Sequence, residues 1–286
     1  MNISAADVKT LRDRTGLPMM ECKAALTEAR GDMDKAVEIL RKKFKDAADK
    51  RTERETAEGR VVAYIDPAQP SGVLLEMRCE SAPVAKSDEF IQLCHDLAKH
   101  IAVRNPAGVE ELLTQPWAAD PKKTIHERIL ETIGQIREKM VPARFTRLSG
   151  GALGSYTHHD GTVGVLLQVE GGKADPQMLR DISMHITARP HRAVRREDIT
   201  PEVLTKEKEI ALAQMAADPK MKDKPANILE KIVEGKMNTW FADNVLLEQP
   251  FVKDDSKTVG ALLKSAGLTL KQFVRYRVGE KDEPRS

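Results

Sequence analysis

The 286 residues carry 46 basic and 44 acidic side chains, a net charge of +2, with 31% charged and 4% aromatic residues. So even a balance argues against a dedicated nucleic-acid binder, whose affinity would rest on a basic excess, and predicts a helix-rich chain large enough for two or three domains. Three cysteines without ligand spacing (Cys22, Cys79, Cys94), no apolar signal core and no run near the roughly 20 apolar residues of a membrane span exclude disulfide, zinc and membrane classes, so a cytoplasmic protein is expected.

The first forty residues read as three short helices. Ser4 caps the first, whose Val8 and Leu11 share a face, and Gly16 stops it. Pro18 suits the first turn of the second, where Met19, Cys22, Leu26 and Ala29 recur at helical spacing. Gly31 ends it, and Asp32 caps a third helix with Met33, Ala36, Val37 and Leu40 inward. A core this small is marginal alone, so the module is expected to lean on something. Adjacent Met19 and Met20 point about 100° apart on a helix, which leaves two readings: core and rim packing, or a soft contact surface. Phe44–Gly59 alternates in charge with almost no apolar face and reads as a solvated helix or linker.

Arg60–Ile65 and Val73–Cys79 flank a Pro/Gly turn as a hairpin. Ser87 then caps a helix that buries Phe90, Leu93, Cys94, Leu97 and Ile101. Helical stretches follow at Val109–Leu113 and Thr124–Lys139, the second with a seam of Ile125, Ile129, Ile136 and Met140. A second copy opens with Arg144–Leu148 and Leu153–Thr157, turns at His158–Gly161 and returns as Thr162–Val169. Gly59, Tyr64 and Gly72-Val73-Leu74-Leu75 recur 92 residues later as Gly151, Tyr156 and Gly164-Val165-Leu166-Leu167, a period that means duplicated subdomains. The loop Cys79–Lys86 has no counterpart in Gly171–Asp175, which makes it the first place to look for function. Asp175-Pro176 starts a helix with Leu179, Ile182 and Ile186 that must end by Pro190. Helices at Pro201–Ala217 and Ala226–Phe241, broken at Asp218-Pro219 and Lys224-Pro225, suggest an antiparallel helical hairpin. A short helix at Thr258–Ala266 precedes alternation over Phe273–Val278, a last strand completing the second sheet.

Parts for catalysis are missing. There is no phosphate loop ending in GKS or GKT, no GxGxxG and no GxSxG, so neither a catalytic residue nor an enzyme is expected. His158 and His159 sit in a turn beside Asp160, but consecutive turn residues rarely converge on one ion and no Cys or Glu cluster completes a shell. No metal and no cofactor are expected there, only a polar hairpin tip. His100 and His185 occupy equivalent helix positions and read as packed scaffold. Arg189–Arg196 could touch RNA but lacks an aromatic stacking platform. The chain reads as one that works by binding another protein.

Arg14-Thr15-Gly16, Met19-Met20-Glu21-Cys22-Lys23-Ala24-Ala25-Leu26, Cys79-Glu80, Val84-Ala85-Lys86, and Leu153-Gly154-Ser155-Tyr156-Thr157-His158 stand in a characteristic order. So do Met184-His185-Ile186, Val233-Glu234-Gly235-Lys236-Met237, Gln249-Pro250-Phe251-Val252 and Thr258-Val259-Gly260. Across nearly its whole length the chain resembles the bacterial elongation factor Ts family. The resemblance implies an α+β protein. A three-helix ubiquitin-associated-like module (1–43) and a charged linker (44–59) would precede two duplicated α+β core subdomains with small antiparallel sheets, 60–143 and 144–286, the second carrying a helical hairpin at 201–241. It also implies guanine-nucleotide exchange on the translational GTPase elongation factor Tu, with GDP release promoted by disturbing the Mg²⁺/phosphate site. By position, Arg12, Met19 and Met20 would meet the nucleotide domain, Ser81, Ala82, Pro83 and Val84 would form the Mg²⁺-dislocating wedge, and His158 would meet the GTPase body. The family's usual wedge is Thr-Asp-Phe-Val, so both the acid and the aromatic ring are absent here. That leaves two alternatives open: an exchange-weak paralogue acting as chaperone or scaffold, and an RNA-associated ribosomal helper using Arg189–Arg196. A homodimer through the hairpin also stays open, while direct nucleic-acid and membrane contacts are not expected.

Overall fold

Ser4 caps the first helix reciprocally: its hydroxyl accepts the Asp7 N–H at 3.1 Å, and the Asp7 carboxylate accepts the Ser4 N–H at 3.2 Å. The computed structural model, which describes residues 3–49, 51, 53–217, 221 and 225–280, continues this α1 (Ala5–Thr15) to a left-handed Gly16 at φ +68°. Helices α2 (Met19–Glu28) and α3 (Met33–Asp49) follow, and the three enclose a core of Leu11, Cys22, Leu26, Ala36 and Leu40. The charged run from Phe44 opens as helix, one of its two expected readings, and not as a linker. Helix α3 continues to Asp49, because Phe44, one helical turn beyond Leu40, is apolar and buried in that core. Lys50 and Thr52 of that run lie outside the described residues.

Strands β1 (Glu58–Ile65) and β2 (Ser71–Cys79) form the expected hairpin. After β2 come α4 (Ala82–Ala85), α5 (Asp88–Arg104), α6 (Val109–Thr114), β3 (Pro116–Trp117), β4 (Asp120–Thr124), α7 (Ile125–Ile136) and β5 (Met140–Ser149). Strand β2 lies between β1 and β5, antiparallel to both, and all of it except Arg78 is buried. Its Val73, Leu75, Met77 and Cys79 pack with Phe90, Leu97 and other residues of α5 and with Ile125 and Ile129 of α7. Two expectations are corrected. Arg144–Leu148 does not open a second copy but belongs to β5 and pairs with β2, and Met140 leaves the helical seam to pair with Cys79.

The remaining elements are β6 (Ala152–Thr157), β7 (Val163–Gly171), α8 (Pro176–Ala188), α9 (Pro201–Ala216), α10 (Ala226–Asn244), β8 (Pro250–Phe251), β9 (Asp254–Thr258), α11 (Val259–Ser265) and β10 (Leu268–Arg277). A second three-stranded sheet has the order β10-β7-β6. The 92-residue repeat is therefore structural, since β7 begins and ends 92 residues after β2. Gly59 lies against the Met77 carbonyl and Gly151 against the Val169 carbonyl, again 92 residues apart, with no room for a Cβ at either. Helices α9 and α10 pack together as a hairpin, and Lys236 donates to Gln214 across it at 3.1 Å. Asp218, Pro219 and Lys224 of its expected break lie outside the described residues. Overall this is an α+β chain with small antiparallel sheets. It divides into two compact units, one drawn from residues up to Gly150, Thr157–Leu166 and those from Val274 on, the other from Gly151–Tyr156 and Leu167–Phe273. No helix among the described residues is long and apolar enough to cross a membrane.

The chain contains a second repeat. Gln115-Pro116-Trp117 recurs as Gln249-Pro250-Phe251, and each opens a short hairpin, β3–β4 and β8–β9, leading into a helix capped by Thr124 or Thr258. Each glutamine meets the scaffold histidine of its own copy. His100 and Gln115 are 2.9 Å apart, as are His185 and Gln249, Nε2 to Oε1 in both. His185 Nδ1 accepts the Val252 N–H at 3.2 Å, which places its proton on Nε2, donating to Gln249. Burial holds both imidazoles below the ordinary value of 6.5, against the opposing pull of the glutamines. A histidine kept neutral in the folded state binds fewer protons there than when unfolded. Its contribution is therefore complete above about pH 6.5 and declines as pH falls through that value. Urea denaturation from pH 7.5 to 5.5 is expected to show stability dropping toward the acid end, and the drop is expected to shrink in His100→Gln/His185→Gln.

Candidate protein-binding site

One short segment holds both the N-terminal module and the loop after β2. Helix α7 ends at Arg137, which adopts the left-handed conformation at φ +66° and so turns the chain sharply before β5. On the helical side of this turn the segment grips the N-terminal module. The Phe44 ring packs where Gly134 has no side chain, Gln135 donates to the Thr15 carbonyl at 3.0 Å, and Arg137 pairs with Glu21. On the other side it grips the loop after β2. The Glu138 carboxylate accepts the Ser81 N–H at 3.0 Å and the Ser81 hydroxyl at 2.6 Å. Next to it, the Lys139 N–H donates to Glu80 at 2.6 Å.

The loop itself is stiff. Ala82–Ala85 forms the single turn α4, with Pro83 in its first turn fixing φ. The Ala85 N–H donates to the Ser81 carbonyl at 3.1 Å, and the Ser87 hydroxyl to the Val84 carbonyl at 2.9 Å. Ala85 is buried, Val84 half-buried and Pro83 exposed, so the proline ring is the part this turn presents. Burial raises the Cys79 thiol to about 12, aided by the nearby Glu138 charge, which removes it from consideration as a nucleophile. Burial also pushes Glu80 upward, but the Lys139 N–H and Arg54 more than offset it and hold the carboxyl below its usual range. Glu80 is thus an ionised anchor.

Arg12 lies exposed in the last turn of α1, and Met19 and Met20 open α2 just across Gly16–Pro18. Both methionines are exposed, 46% and 73%, so they are not core. The packing face of α2 is Cys22, Ala25 and Leu26 instead. His158 is half-buried at the end of β6; its N–H donates to the Val163 carbonyl at 2.9 Å, and its carbonyl accepts the Gly161 N–H at 2.8 Å. This tip is tied down rather than free, because the Val61 N–H of β1 donates to the Gly161 carbonyl at 2.8 Å. Burial would raise Asp160, but Thr162 donates to it twice and lowers it. Among the described residues no group of histidine, cysteine or carboxylate side chains is placed to hold a metal.

The Elongation factor TS family model matches residues 80–280, well over half of the chain. The chain belongs to the elongation factor Ts family. It is similar to elongation factor Ts of Trichlorobacter lovleyi, 41% identical over 98% of this chain and 94% of that protein. It is also similar to those of Methylococcus capsulatus, 42% identical over 98% and 93%, and Streptomyces griseus, 41% identical over 97% and 99%. Against the family background the residues that sequence missed are the fixing ones, Gln135, Arg137, Glu138 and Lys139. For Arg137, Glu138 and Lys139 the abrupt polar run after Ile136 is the one hint in the sequence.

If Glu138 fixes the loop, Glu138→Ala leaves the Ser81 N–H and hydroxyl without acceptors. The Ser81–Lys86 amides are then expected to exchange with deuterium faster, with a stability loss of about 1.5–3 kcal/mol, as for hydrogen bonds to a charged group. Glu138→Gln, which keeps one acceptor oxygen, is expected to retain most of the protection.

Proposed function

We propose that this protein is a guanine-nucleotide exchange factor for elongation factor Tu, acting in peptide-chain elongation. Membership of the elongation factor Ts family over nearly the full chain carries this conclusion. Its physical form is linkage. A GTPase holds GDP partly through Mg²⁺, which demands near-octahedral ligation shared with phosphate oxygens. A partner that binds the GTPase with that site distorted weakens nucleotide binding, and nucleotide weakens the partner by the same factor.

In our assignment α1–α3 form a ubiquitin-associated-like module that docks through Arg12, Met19 and Met20, where polarizable, unbranched methionines adapt to a partner surface. The turn Ser81-Ala82-Pro83-Val84 is the wedge toward the Mg²⁺ site. Lacking an acid and an aromatic ring, it can act only as a stiff apolar bump, and the bonds from Glu138 together with the fixed φ of Pro83 supply that stiffness. His158 meets the GTPase body. Two duplicated core subdomains frame these contacts. A homodimer contact would lie on the hairpin, where Ile210, Leu212 and Ile228 are exposed.

The RNA-helper alternative loses ground because two arginines of the basic run, Arg195 and Arg196, are engaged within the chain. Arg196 pairs with Glu248 and stacks over Phe241 at 4.1 Å, and Arg195 reaches the Leu270 carbonyl. The deciding measurement is release of fluorescent GDP from elongation factor Tu across a Mg²⁺ series. Accelerated release is expected. Pro83→Ala is expected to lower the maximal rate about fivefold, the equivalent of 1 kcal/mol, with binding retained. Met20→Asp is expected to weaken binding about tenfold or more. Tight binding without acceleration would instead assign the chain to the scaffold class.

A further inference from the structure

The charged segment between α3 and β1 is held by its backbone carbonyls. Lys139 Nζ donates to the Arg54 carbonyl at 2.9 Å, and the Arg78 guanidinium donates to the Thr56 carbonyl. So placed, the Arg54 side chain reaches Glu80, with Nη1 3.0 Å from Oε2. Glu80 is the root of the turn Ser81–Val84, and its other bond comes from the Lys139 N–H at 2.6 Å. Whether Arg54 stays on Glu80 therefore depends on how firmly the segment that carries it is held.

Arg78 lies on β2 two residues after Glu76, so both point away from the face on which Val73, Leu75, Met77 and Cys79 pack. One of its terminal nitrogens lies 3.5 Å from the Glu76 carboxylate and the other donates to Thr56. A single planar fork thus joins the segment to the sheet. Glu76 has other partners: its carboxylate, in a residue 1% exposed, also accepts Arg144 Nε at 2.7 Å and the Gly279 N–H at 2.8 Å. What Arg78 adds is the reach to Thr56. It does so at a cost, because its Nε is buried with no hydrogen-bond partner among the described residues. Native proteins seldom leave such an atom unmatched, and the exceptions gather where function needs the geometry. We propose that Arg78 is a positioning residue for nucleotide exchange: by holding Thr56 it keeps Arg54 on Glu80 and so fixes the root of the wedge. This inference rests on the reading of Ser81–Val84 as that wedge.

The test measures GDP release from elongation factor Tu and deuterium exchange of the free full-length chain, in Arg78→Met, Arg54→Met and the double variant. Arg78→Met keeps the apolar stem, and Glu76 retains Arg144 and Gly279, so the fold is expected to persist. In either single variant the Ser81–Lys86 amides are expected to exchange about threefold faster or more. The maximal release rate is expected to fall about threefold while the half-saturating concentration stays unchanged. Because both arginines act through Glu80, the second substitution is expected to add little to the first. Additive effects, or a lowered Tm with the turn's amide exchange and the maximal rate unchanged, would overturn the assignment. Wild-type chain that binds elongation factor Tu without accelerating release overturns the exchange reading and this role together. Wild-type acceleration matched by Arg78→Met removes the role of Arg78 alone.

Discussion

Six consecutive residues, Gly134 to Lys139, fix the two parts of the first unit assigned to partner contact. One end of the segment packs and hydrogen-bonds against the three-helix module, and the other end holds the turn after β2. The left-handed Arg137 between them makes this possible, because a continuing helix would carry Glu138 and Lys139 away from Ser81 and Glu80. A module of about forty residues has too little core to hold a fixed posture alone. Its position here is inherited from α7, through a glycine that admits the Phe44 ring, a side-chain amide and an ion pair. A push on Met20 is therefore borne by the same backbone that bears a push on Pro83.

That arrangement bears on how the proposed wedge, which has neither an acid nor an aromatic ring, would work. Displacing Mg²⁺ from a phosphate site requires that the intruding group not yield, and a flexible loop spends binding energy on ordering itself. Here the turn is ordered in advance by Glu138, by the Ser87 hydroxyl and by proline's fixed φ. Glu80, held ionised by Lys139 and Arg54, pins its root. Under the proposed assignment, rigidity is what this turn has to offer in place of a charge or a ring.

Much of the fold was legible because its signals are local. Ser4, Asp32, Ser87 and Asp175 accept the N–H groups a capping residue should accept, and the 92-residue repeat marks β1–β2 and β6–β7. The misreadings have a common cause. Strands of two residues, β3 and β8, are too short to show alternation, although the recurrence of Gln-Pro-Trp as Gln-Pro-Phe was there to be seen. Phe44 was lost among charges, yet its spacing of four from Leu40 is helical. Arg144–Leu148 alternates as a strand should, and nothing local says which sheet it joins. At the site, the exposure of Met19 and Met20 follows from where Cys22 points, but the grip of Glu138 on Ser81 spans 57 residues and is written only in the packing.

The two histidine–glutamine pairs also bracket the stretch where the two copies differ most in length. In the first copy α5 reaches the β3–β4 hairpin through little more than α6. In the second, α8 reaches the equivalent β8–β9 hairpin only after about fifty more residues, which include α9 and α10. Lengthening a loop that much adds only about 1.5 kcal/mol of closure entropy, since the cost grows with the logarithm of length. His185 and Gln249 close the loop at its base, as His100 and Gln115 do in the shorter copy. The pair behaves as a clasp indifferent to what hangs from it. A gene carrying this fold could lengthen, shorten or exchange the pendant helices between lineages while the sheet beneath kept its register.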